Sequence, residues 1–248
     1  MSSFVAWART APTLVLFAIT LLTFDLAGRV ALLMGRRPFE WTMAALQRTL
    51  LAVFAVAGVR YVVEGADHIE PGTGYVLVSN HQSMLDIPLF GGVLVKNFPK
   101  YVAKKELGSW LPSISLNLKR GGNALIDRRQ RDQAEQEIER VARECETRGT
   151  ALVIFPEGTR SRDGALKRFR VAGLDALLGA APTMPVVPVA IEGSWRVMQS
   201  NMRPIWGAPV RIRFGSAFPR TASTTAAEVA EHCQDWIRRT LDEWRATV

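Results

Sequence analysis

Short apolar runs typical of β-strands alternate with helical patterns from Tyr61 onward, and this alternation constrains the fold more than any other feature of the chain. The runs are rich in β-branched and aromatic residues. Strands alternating with helices predict an α/β fold, a mixed sheet covered by helices. The seven predicted strands are Tyr61–Glu64, Tyr75–Ser79, Tyr101–Ala103, Ala124–Ile126, Ala151–Phe155, Val186–Ile191 and Val210–Phe214.

Two of the intervening segments have clear helical periodicity. Between Ala134 and Cys145, and again between Val229 and Leu241, apolar residues recur three or four positions apart with charged residues on the other face. This spacing predicts amphipathic helices packed on the sheet. Pro188 interrupts a strand-like run, and a proline within a strand indicates a sheet edge or a bulge.

Residues 1–60 differ from the rest because they contain two uncharged apolar runs, Thr10–Phe24 and Thr49–Val59. As helices these runs reach about 22 Å or less, short of the ~30 Å hydrocarbon core of a bilayer. The nearby arginines favour a helical pair lying in the membrane interface, with Trp41 at headgroup depth. We therefore expect a two-helix membrane anchor over residues 1–60 and a second domain over residues 61–248; the alternative is a buried helical hairpin of a soluble core.

The net charge of +8 indicates an anionic partner. The excess is local: Lys96–Arg129 holds eight basic residues against two acidic ones, and Arg160–Arg170 holds five against Asp163. An anionic membrane or a phosphorylated substrate fits this distribution. A nucleic-acid partner is not predicted, because neither interleaved aromatic residues nor a known binding module is present.

Cysteine and histidine are too few and too scattered for a metal centre or a disulfide framework. Cys145 and Cys233 lie far apart, and the three histidines, His68, His81 and His232, do not share a helical face. The sequence therefore predicts two buried, reduced thiols and no metal site.

The first candidate for chemistry follows the predicted strand Tyr75–Ser79. His81 and Asp86 are five residues apart, which on one regular helix separates them by about 140°. They meet only if His81 stands in the turn before the helix that carries Asp86. Asp86 would then hold one ring nitrogen of His81 and leave the other free as a general base.

A second candidate follows the apolar run Leu152–Ile154, where the chain reads Phe155, Pro156, Glu157, Gly158, Thr159, Arg160 and Ser161. Proline and glycine favour a tight turn, and the hydroxyl and guanidinium after it suit a phosphate. Two further segments complete the pattern, Gly122–Arg128 and Val186–Ile191. The alternative for the turn is an ordinary β-turn with a surface arginine.

In this order and spacing, the four segments resemble the motifs of the glycerolipid acyltransferase family, and within it the 1-acyl-sn-glycerol-3-phosphate acyltransferases. The match covers roughly residues 60–215. The His-x4-Asp motif and the Phe-Pro-Glu-Gly-Thr-Arg-Ser motif are intact, whereas Leu125 stands where the family commonly has phenylalanine.

The resemblance implies acyl transfer from acyl-CoA or acyl-carrier protein to the sn-2 hydroxyl of a lysophosphatidic acid, with no cofactor besides that co-substrate. His81 would be the base and Asp86 its orienting partner. It further implies a cytoplasm-facing enzyme bound to the inner membrane. The substrate-binding residues it implies are Lys104, Arg128, Phe155, Pro156, Glu157, Gly158, Thr159 and Arg160, with Lys105 as a rival to Lys104.

Two alternatives stay open. One is an acyltransferase for another lyso-lipid, such as a lyso-ornithine lipid, which lacks the phosphate. The other is a non-enzymatic protein that binds anionic lipid, which would share the charge and the apolar segments but would not require His81, Asp86 and Glu157.

Overall fold

The computed structural model describes residues 3–109, 111–127, 129–197, 209–218, 220–221 and 223–246. Seven strands form one sheet in the spatial order β1-β7-β6-β2-β5-β3-β4. All neighbouring pairs are parallel except β6 and β7, so the sheet is mixed, as predicted. The strands are β1 Arg60–Glu64, β2 Val76–Ser79, β3 Lys100–Lys104, β4 Ala124–Ile126, β5 Leu152–Ile154, β6 Val186–Glu192 and β7 Pro209–Phe214. All seven predicted strands are confirmed to within two residues at each end.

Helices cover both faces of this sheet. The residues of β2 alternate between two cores: Val76 and Val78 pack against the helices on one face, and Leu77 packs with α3 and the end of α2 on the other. The first face is covered by α5, α6 and α7. The helices are α1 Ser3–Met34, α2 Arg36–Val56, α3 Asp86–Val93, α4 Ile114–Arg120, α5 Arg131–Arg148, α6 Ala172–Ala180 and α7 Ala226–Ala246.

Both amphipathic helices predicted from periodicity are confirmed as α5 and α7. The chain ends α5 at Gly149, whose left-handed φ of 62° suits glycine. Thr225 and Glu228 begin α7 as a capping box: Thr225 N donates to the Glu228 carboxylate, and Glu228 N donates to Thr225 Oγ1. The predicted buried thiols, Cys145 and Cys233, lie on the inner faces of these two helices.

Pro188 lies in a central strand, so the edge alternative for it is wrong. Between the pairs Val189↔Phe214 and Val186↔Phe218, β6 has two intervening residues and the returning chain has three. This extra residue is a bulge, the other predicted alternative. Pro188 O accepts from Gly215 N, so the side of Pro188 that lacks an N–H faces the bulge rather than a regular ladder.

The first N-terminal run belongs to a helix that continues well beyond Phe24, to Met34. Within the described residues, α1 contains a 25-residue segment, Thr10–Met34, that by length and composition alone is apolar enough to cross a membrane. The helix continues through Asp25 because that carboxylate is paired, with Arg29 Nε at 2.7 Å and with Ser113 N at 2.7 Å. A paired carboxylate does not carry the full cost of an isolated charge.

Helix α2 is joined to the rest of the protein by a buried carboxylate. Glu40 is 3% exposed and contacts Lys100 Nζ and Arg148 Nη2, each at 3.0 Å, with Arg36 and Arg37 at 3.5 Å. Burial alone would raise the pKa of the Glu40 carboxyl, but the cations outweigh it and hold that pKa below its ordinary value. Phe54, at the far end of α2, also packs into the core beneath the sheet.

Candidate active site

The site is built at the carboxyl end of β2, where the chain leaves the centre of the sheet. Asn80 is buried, and its side-chain amide bonds both backbone groups of Ile191 on β6: Nδ2 donates to Ile191 O and Oδ1 accepts from Ile191 N, each at 2.8 Å. This pair of hydrogen bonds fixes the end of β6 beside the end of β2. The carboxyl edge of an α/β sheet is where such folds place ligands.

His81 stands in the turn before α3, and Asp86 is the first residue of that helix, which is the arrangement that the spacing requires. His81 Nδ1 lies 2.8 Å from Asp86 Oδ2. With an ionised Asp86 and a neutral ring, this contact places the proton on Nδ1 and leaves a free lone pair on Nε2. The His81 side chain keeps 16% exposure, so the ring borders the surface while Asp86 is fully buried.

Four donors hold the Asp86 carboxylate. Oδ2 accepts from Gln82 N at 2.7 Å and from Ser83 N at 2.9 Å in addition to His81. Oδ1 accepts from the hydroxyl of Ser194 at 2.5 Å. Burial of a carboxylate is costly without hydrogen bonds, and these donors satisfy it.

The predicted turn after β5 packs directly against His81. The ring of Phe155 stacks on the imidazole, with centroids 4.1 Å apart and planes 17° apart. The turn closes through Gly158 N, which donates to Phe155 O, and Gly158 has a φ of 72° that favours glycine. Pro156 is buried, and its carbonyl accepts from Arg170 N.

Two hydrogen bonds tie this turn to the backbone of His81. His81 N donates to Glu157 Oε1 at 3.0 Å, and Ser161 N donates to His81 O at 2.7 Å. Glu157 is 3% exposed, and its Oε2 contacts no hydrogen-bond partner among the described residues. Burial raises the pKa of Glu157 to about 7, with a smaller contribution from the charge of Asp86. The turn is thus a fixed wall of the site.

Thr159 and Arg160 are exposed at the rim of the turn. Lys167 joins them: its ammonium donates to Thr159 Oγ1 at 3.2 Å and to Arg160 O at 2.8 Å. The guanidinium and the ammonium give the rim a positive charge, and the hydroxyl adds a hydrogen-bonding group. This is a surface to which a phosphate group would be attracted.

Lys104 is the last residue of β3, and it is exposed, as is Lys105. Because β2, β5, β3 and β4 run parallel, Lys104 lies at the same edge of the sheet as His81, two strands away from β2. Arg128, which follows β4 in the sequence, lies outside the described residues.

Two residues of the site lie outside the sequence motifs and were not predicted. Ser194 follows the Pro188 strand and reaches Asp86 across 108 positions of sequence. Lys167 lies beyond the turn motif in a mixed polar stretch. Its place in a strongly basic segment was the one available indication. Among the described residues, no group of three or more His, Cys, Asp or Glu side chains is arranged to hold a metal ion.

Comparison with known proteins identifies a family, two related proteins and one similar structure. A family model described as Acyltransferase matches residues 60–192, which contain all four sequence motifs. The 1-acyl-sn-glycerol-3-phosphate acyltransferase alpha of Homo sapiens is 34% identical over 150 residues, 60% of this chain and 52% of that protein. The 1-acyl-sn-glycerol-3-phosphate acyltransferase of Cocos nucifera is 30% identical over 164 residues, 65% of this chain and 50% of that protein.

The chain spans about half the length of these curated relatives. Among solved structures, the 1-acyl-sn-glycerophosphate (LPA) acyltransferase PlsC of Thermotoga maritima aligns with a TM-score of 0.77. The alignment covers 97% of this chain and 98% of that chain, at 21% identity. The two proteins therefore share a fold over nearly their whole length, N-terminal helices included.

Proposed function

The chain belongs to the acyltransferase family, and from this premise we propose that it transfers an acyl chain from a thioester to the sn-2 hydroxyl of 1-acyl-sn-glycerol-3-phosphate, giving phosphatidic acid. The observation that carries the proposal is the contact between His81 and Asp86 beside the turn that begins at Phe155. Two relatives, 34% and 30% identical to this chain over 150 and 164 residues, are named for that activity.

In the proposed mechanism, His81 Nε2 takes the proton of the acceptor hydroxyl as its oxygen attacks the thioester carbonyl carbon. Asp86 stabilises the imidazolium that forms. The tetrahedral intermediate then collapses: the carbon–sulfur bond breaks, and the imidazolium returns its proton to the leaving thiolate. The products are the new ester and the free thiol of coenzyme A or of acyl-carrier protein.

Direct transfer is favoured over a thioester-linked enzyme intermediate by the state of the two cysteines. Burial raises the pKa of Cys145 to about 11 and that of Cys233 to about 12. A thiol needs to be accessible and readily ionised to act as a nucleophile. Neither cysteine meets that requirement, and both pack in the core on the α5–α7 face.

The acceptor phosphate would bind at the rim formed by Thr159, Arg160 and Lys167. Arg160 provides a fork that matches two phosphate oxygens, and the neighbouring hydroxyl and ammonium add further donors. Lys104, at the end of β3 on the same edge of the sheet, is a further candidate for the phosphate. Arg128 remains a candidate from the sequence motif alone. Glu157 acts on the turn itself, through its bond to His81 N.

One assay tests the proposal. The purified full chain is offered a panel of lyso-lipids with one acyl thioester: lysophosphatidic acid, lysophosphatidylcholine and a lyso-ornithine lipid. We expect lysophosphatidic acid to be the preferred acceptor. Preference for the lyso-ornithine lipid would keep the reaction class and replace the acceptor, and no transfer to any acceptor would leave a lipid-binding protein.

We also propose that α1 attaches the protein to the cytoplasmic face of the membrane, where acyl thioesters are made, and lies in the interface. Only 22% of its most apolar stretch is buried inside the protein. Leu22, Leu26 and Leu33 are more than 60% exposed. Asp25, in the middle of α1, accepts from the N–H of Ser113, the residue directly before α4. A spanning α1 would therefore draw the start of α4 into the hydrocarbon.

Vesicle binding tests the attachment. Leu22→Asp with Leu26→Asp should weaken cosedimentation of the full chain with vesicles of phosphatidylglycerol and phosphatidylethanolamine, because each aspartate opposes burial in lipid. Val171→Asp is the matched control, since Val171 is an exposed apolar residue on the opposite side of the chain's fold from α1, at the start of α6. Unchanged binding by the double variant would show that another surface attaches the protein.

A further inference from the structure

Ser194 donates a hydrogen bond to Asp86, but it lies outside the sequence motifs and has no part in the proposed mechanism. Asp86 Oδ2 is shared by His81 and two backbone N–H groups, whereas Oδ1 accepts from the Ser194 hydroxyl at 2.5 Å. Among the described residues, Ser194 is the only hydrogen-bond donor to Asp86 Oδ1. Both Ser194 and Asp86 are 0% exposed, so water does not substitute for this bond at the surface.

The backbone places Ser194 with little freedom. Gly193, immediately before it, has a φ of 89°, and a Cβ at that position would collide with the backbone oxygen of Pro209. Ile191, three residues before Ser194, is held at both backbone groups by Asn80, which directly precedes His81. The end of β6 and the start of the His81 turn are therefore one rigid unit.

The hydrogen bond from Ser194 matters because the two oxygens of the Asp86 carboxylate have different partners, and Ser194 binds the one that does not contact His81. If Oδ1 lost its donor, a buried charged oxygen would be left unsatisfied, which is costly. The carboxylate would relieve that cost by rotating or by shifting toward other donors. Either movement changes the contact between Oδ2 and His81 Nδ1, on which the orientation of Nε2 depends.

We propose that Ser194 is a positioning residue for acyl transfer: its hydroxyl holds Asp86 in the plane that orients His81. The inference rests on the proposed function, because it gives His81 the role of base. Ser194 does not touch the reacting atoms in this scheme. Its loss should therefore reduce kcat and leave KM for both substrates nearly unchanged.

The experiment compares Ser194→Ala, Ser194→Thr and Ser113→Ala. Ser113 is the matched control, since it is also 0% exposed and its hydroxyl donates to a backbone oxygen, that of Leu21, at 2.8 Å. We measure kcat and KM for each variant and record a proton NMR spectrum of the full chain. The signal of the hydrogen-bonded Nδ1 proton of His81 is assigned by its absence in His81→Ala. The chain has only three histidines, which keeps that region of the spectrum simple.

We expect Ser194→Ala to lose about 10- to 100-fold in kcat, the loss expected for one hydrogen bond to a charged group, with KM within about twofold. The His81 Nδ1 proton should shift in Ser194→Ala and stay in place in Ser113→Ala. Ser194→Thr keeps the hydroxyl and should recover most of the rate; if its extra methyl prevents folding, the alanine variant and its spectrum decide alone.

Two results would overturn the inference. The first is a folded Ser194→Ala with a kcat within twofold of the unsubstituted protein and an unmoved His81 proton. The second is an equal loss of kcat in Ser113→Ala, which would make the effect one of general destabilisation. A fully active His81→Ala is a different outcome, because it would remove the proposed mechanism itself.

Discussion

Asp86 and Glu40 are both buried carboxylates, but they lie at opposite edges of the sheet and are held by different partners. Asp86 follows the carboxyl end of β2 and is bound by two backbone N–H groups, a hydroxyl and an imidazole. Glu40 lies near Lys100, the first residue of β3, and is bound by lysine and arginine side chains. The first carboxylate orients His81 in the proposed mechanism, and the second joins α2 to the α/β domain.

The difference between the partners explains the difference in role. Arginine keeps its charge at all ordinary pH values, so Arg36, Arg37 and Arg148 neutralise Glu40 throughout. Burial lowers the pKa of the Lys100 ammonium, and the charge of Glu40 opposes that shift. The donors on Asp86 are neutral apart from His81, whose charge changes when it takes a proton. Asp86 can therefore respond to a charge that appears on His81 during a reaction, whereas Glu40 is already neutralised.

Removing His81 should have the largest effect on catalysis and little effect on folding. We expect His81→Ala to lower kcat by about 10²- to 10⁴-fold, the usual contribution of a positioned general base. The melting temperature should stay within a few degrees. His232→Ala, an exposed histidine on α7, is the control and should keep full activity. A His81→Ala variant with more than a tenth of the normal turnover would contradict the general-base role.

Removing the charge of Glu40 should have the opposite effect, a large loss of stability with the chemistry intact. Glu40→Gln leaves Lys100 buried without its partner, which typically costs about 3 kcal/mol or more. Chemical denaturation measures the loss, and kcat is assayed at low temperature, where the variant stays folded. The control is Glu139→Gln, which breaks an exposed pair with Arg143 and should cost less than 1 kcal/mol. Equal costs for both variants would remove the contrast.

Arg160 and Arg148 extend the comparison to the cations of the two edges. Arg148 is bound to Glu40, whereas no carboxylate among the described residues pairs with the side chain of Arg160. Arg160→Ala should therefore reduce kcat/KM about 10- to 100-fold for lysophosphatidic acid and much less for an analogue without the phosphate. Arg160→Lys should recover part of the loss, because lysine cannot bind two oxygens at once. Equal losses on both acceptors would make Arg160 structural.

Glu157 gives the smallest effect, and it appears as a dependence of stability on pH. Burial raises its pKa from 4.5 to about 7, so the folded protein binds an extra proton between these values. Stability is then highest at the acidic end of this window and falls as the pH rises through it. The free energy of unfolding of Glu157→Gln minus that of the unsubstituted protein should therefore increase by about 2 kcal/mol as the pH rises from 5 to 8.

Urea denaturation at several pH values measures this difference. Asp86 and Lys167 also act on Glu157, the first raising its pKa and the second lowering it. Gln136→Ala, an exposed position on α5 with no titratable group, is the control and should give a stability difference that does not change over the same range. A Glu157→Gln difference that is equally flat would show that Glu157 is ionised throughout.

The strands and the positions of the motifs were predictable because the signals are local. Alternation and β-branched residues mark each strand, and the two motifs begin within two residues of the ends of β2 and β5. The meeting of His81 and Asp86 also followed from their spacing, since a turn before a helix is the arrangement in which five positions bring them together. Their chemical roles rest on the resemblance and stay predictions.

The order of the strands, the length of α1 and the place of Ser194 were decided only by the tertiary structure. Sequence alone gave β6 as an edge or bulged strand, and its central place depends on pairing with β2 and β7. Asp25 reads as a costly charge within an apolar helix until Ser113, 88 residues away, supplies a donor. Ser194 reads as an ordinary loop serine until the fold brings it to Asp86. Asp25 and Ser194 each have a hydrogen-bond partner far away in the chain, and the residues next to them in the sequence do not identify it. The central place of β6 likewise depends on strands that are distant in the sequence.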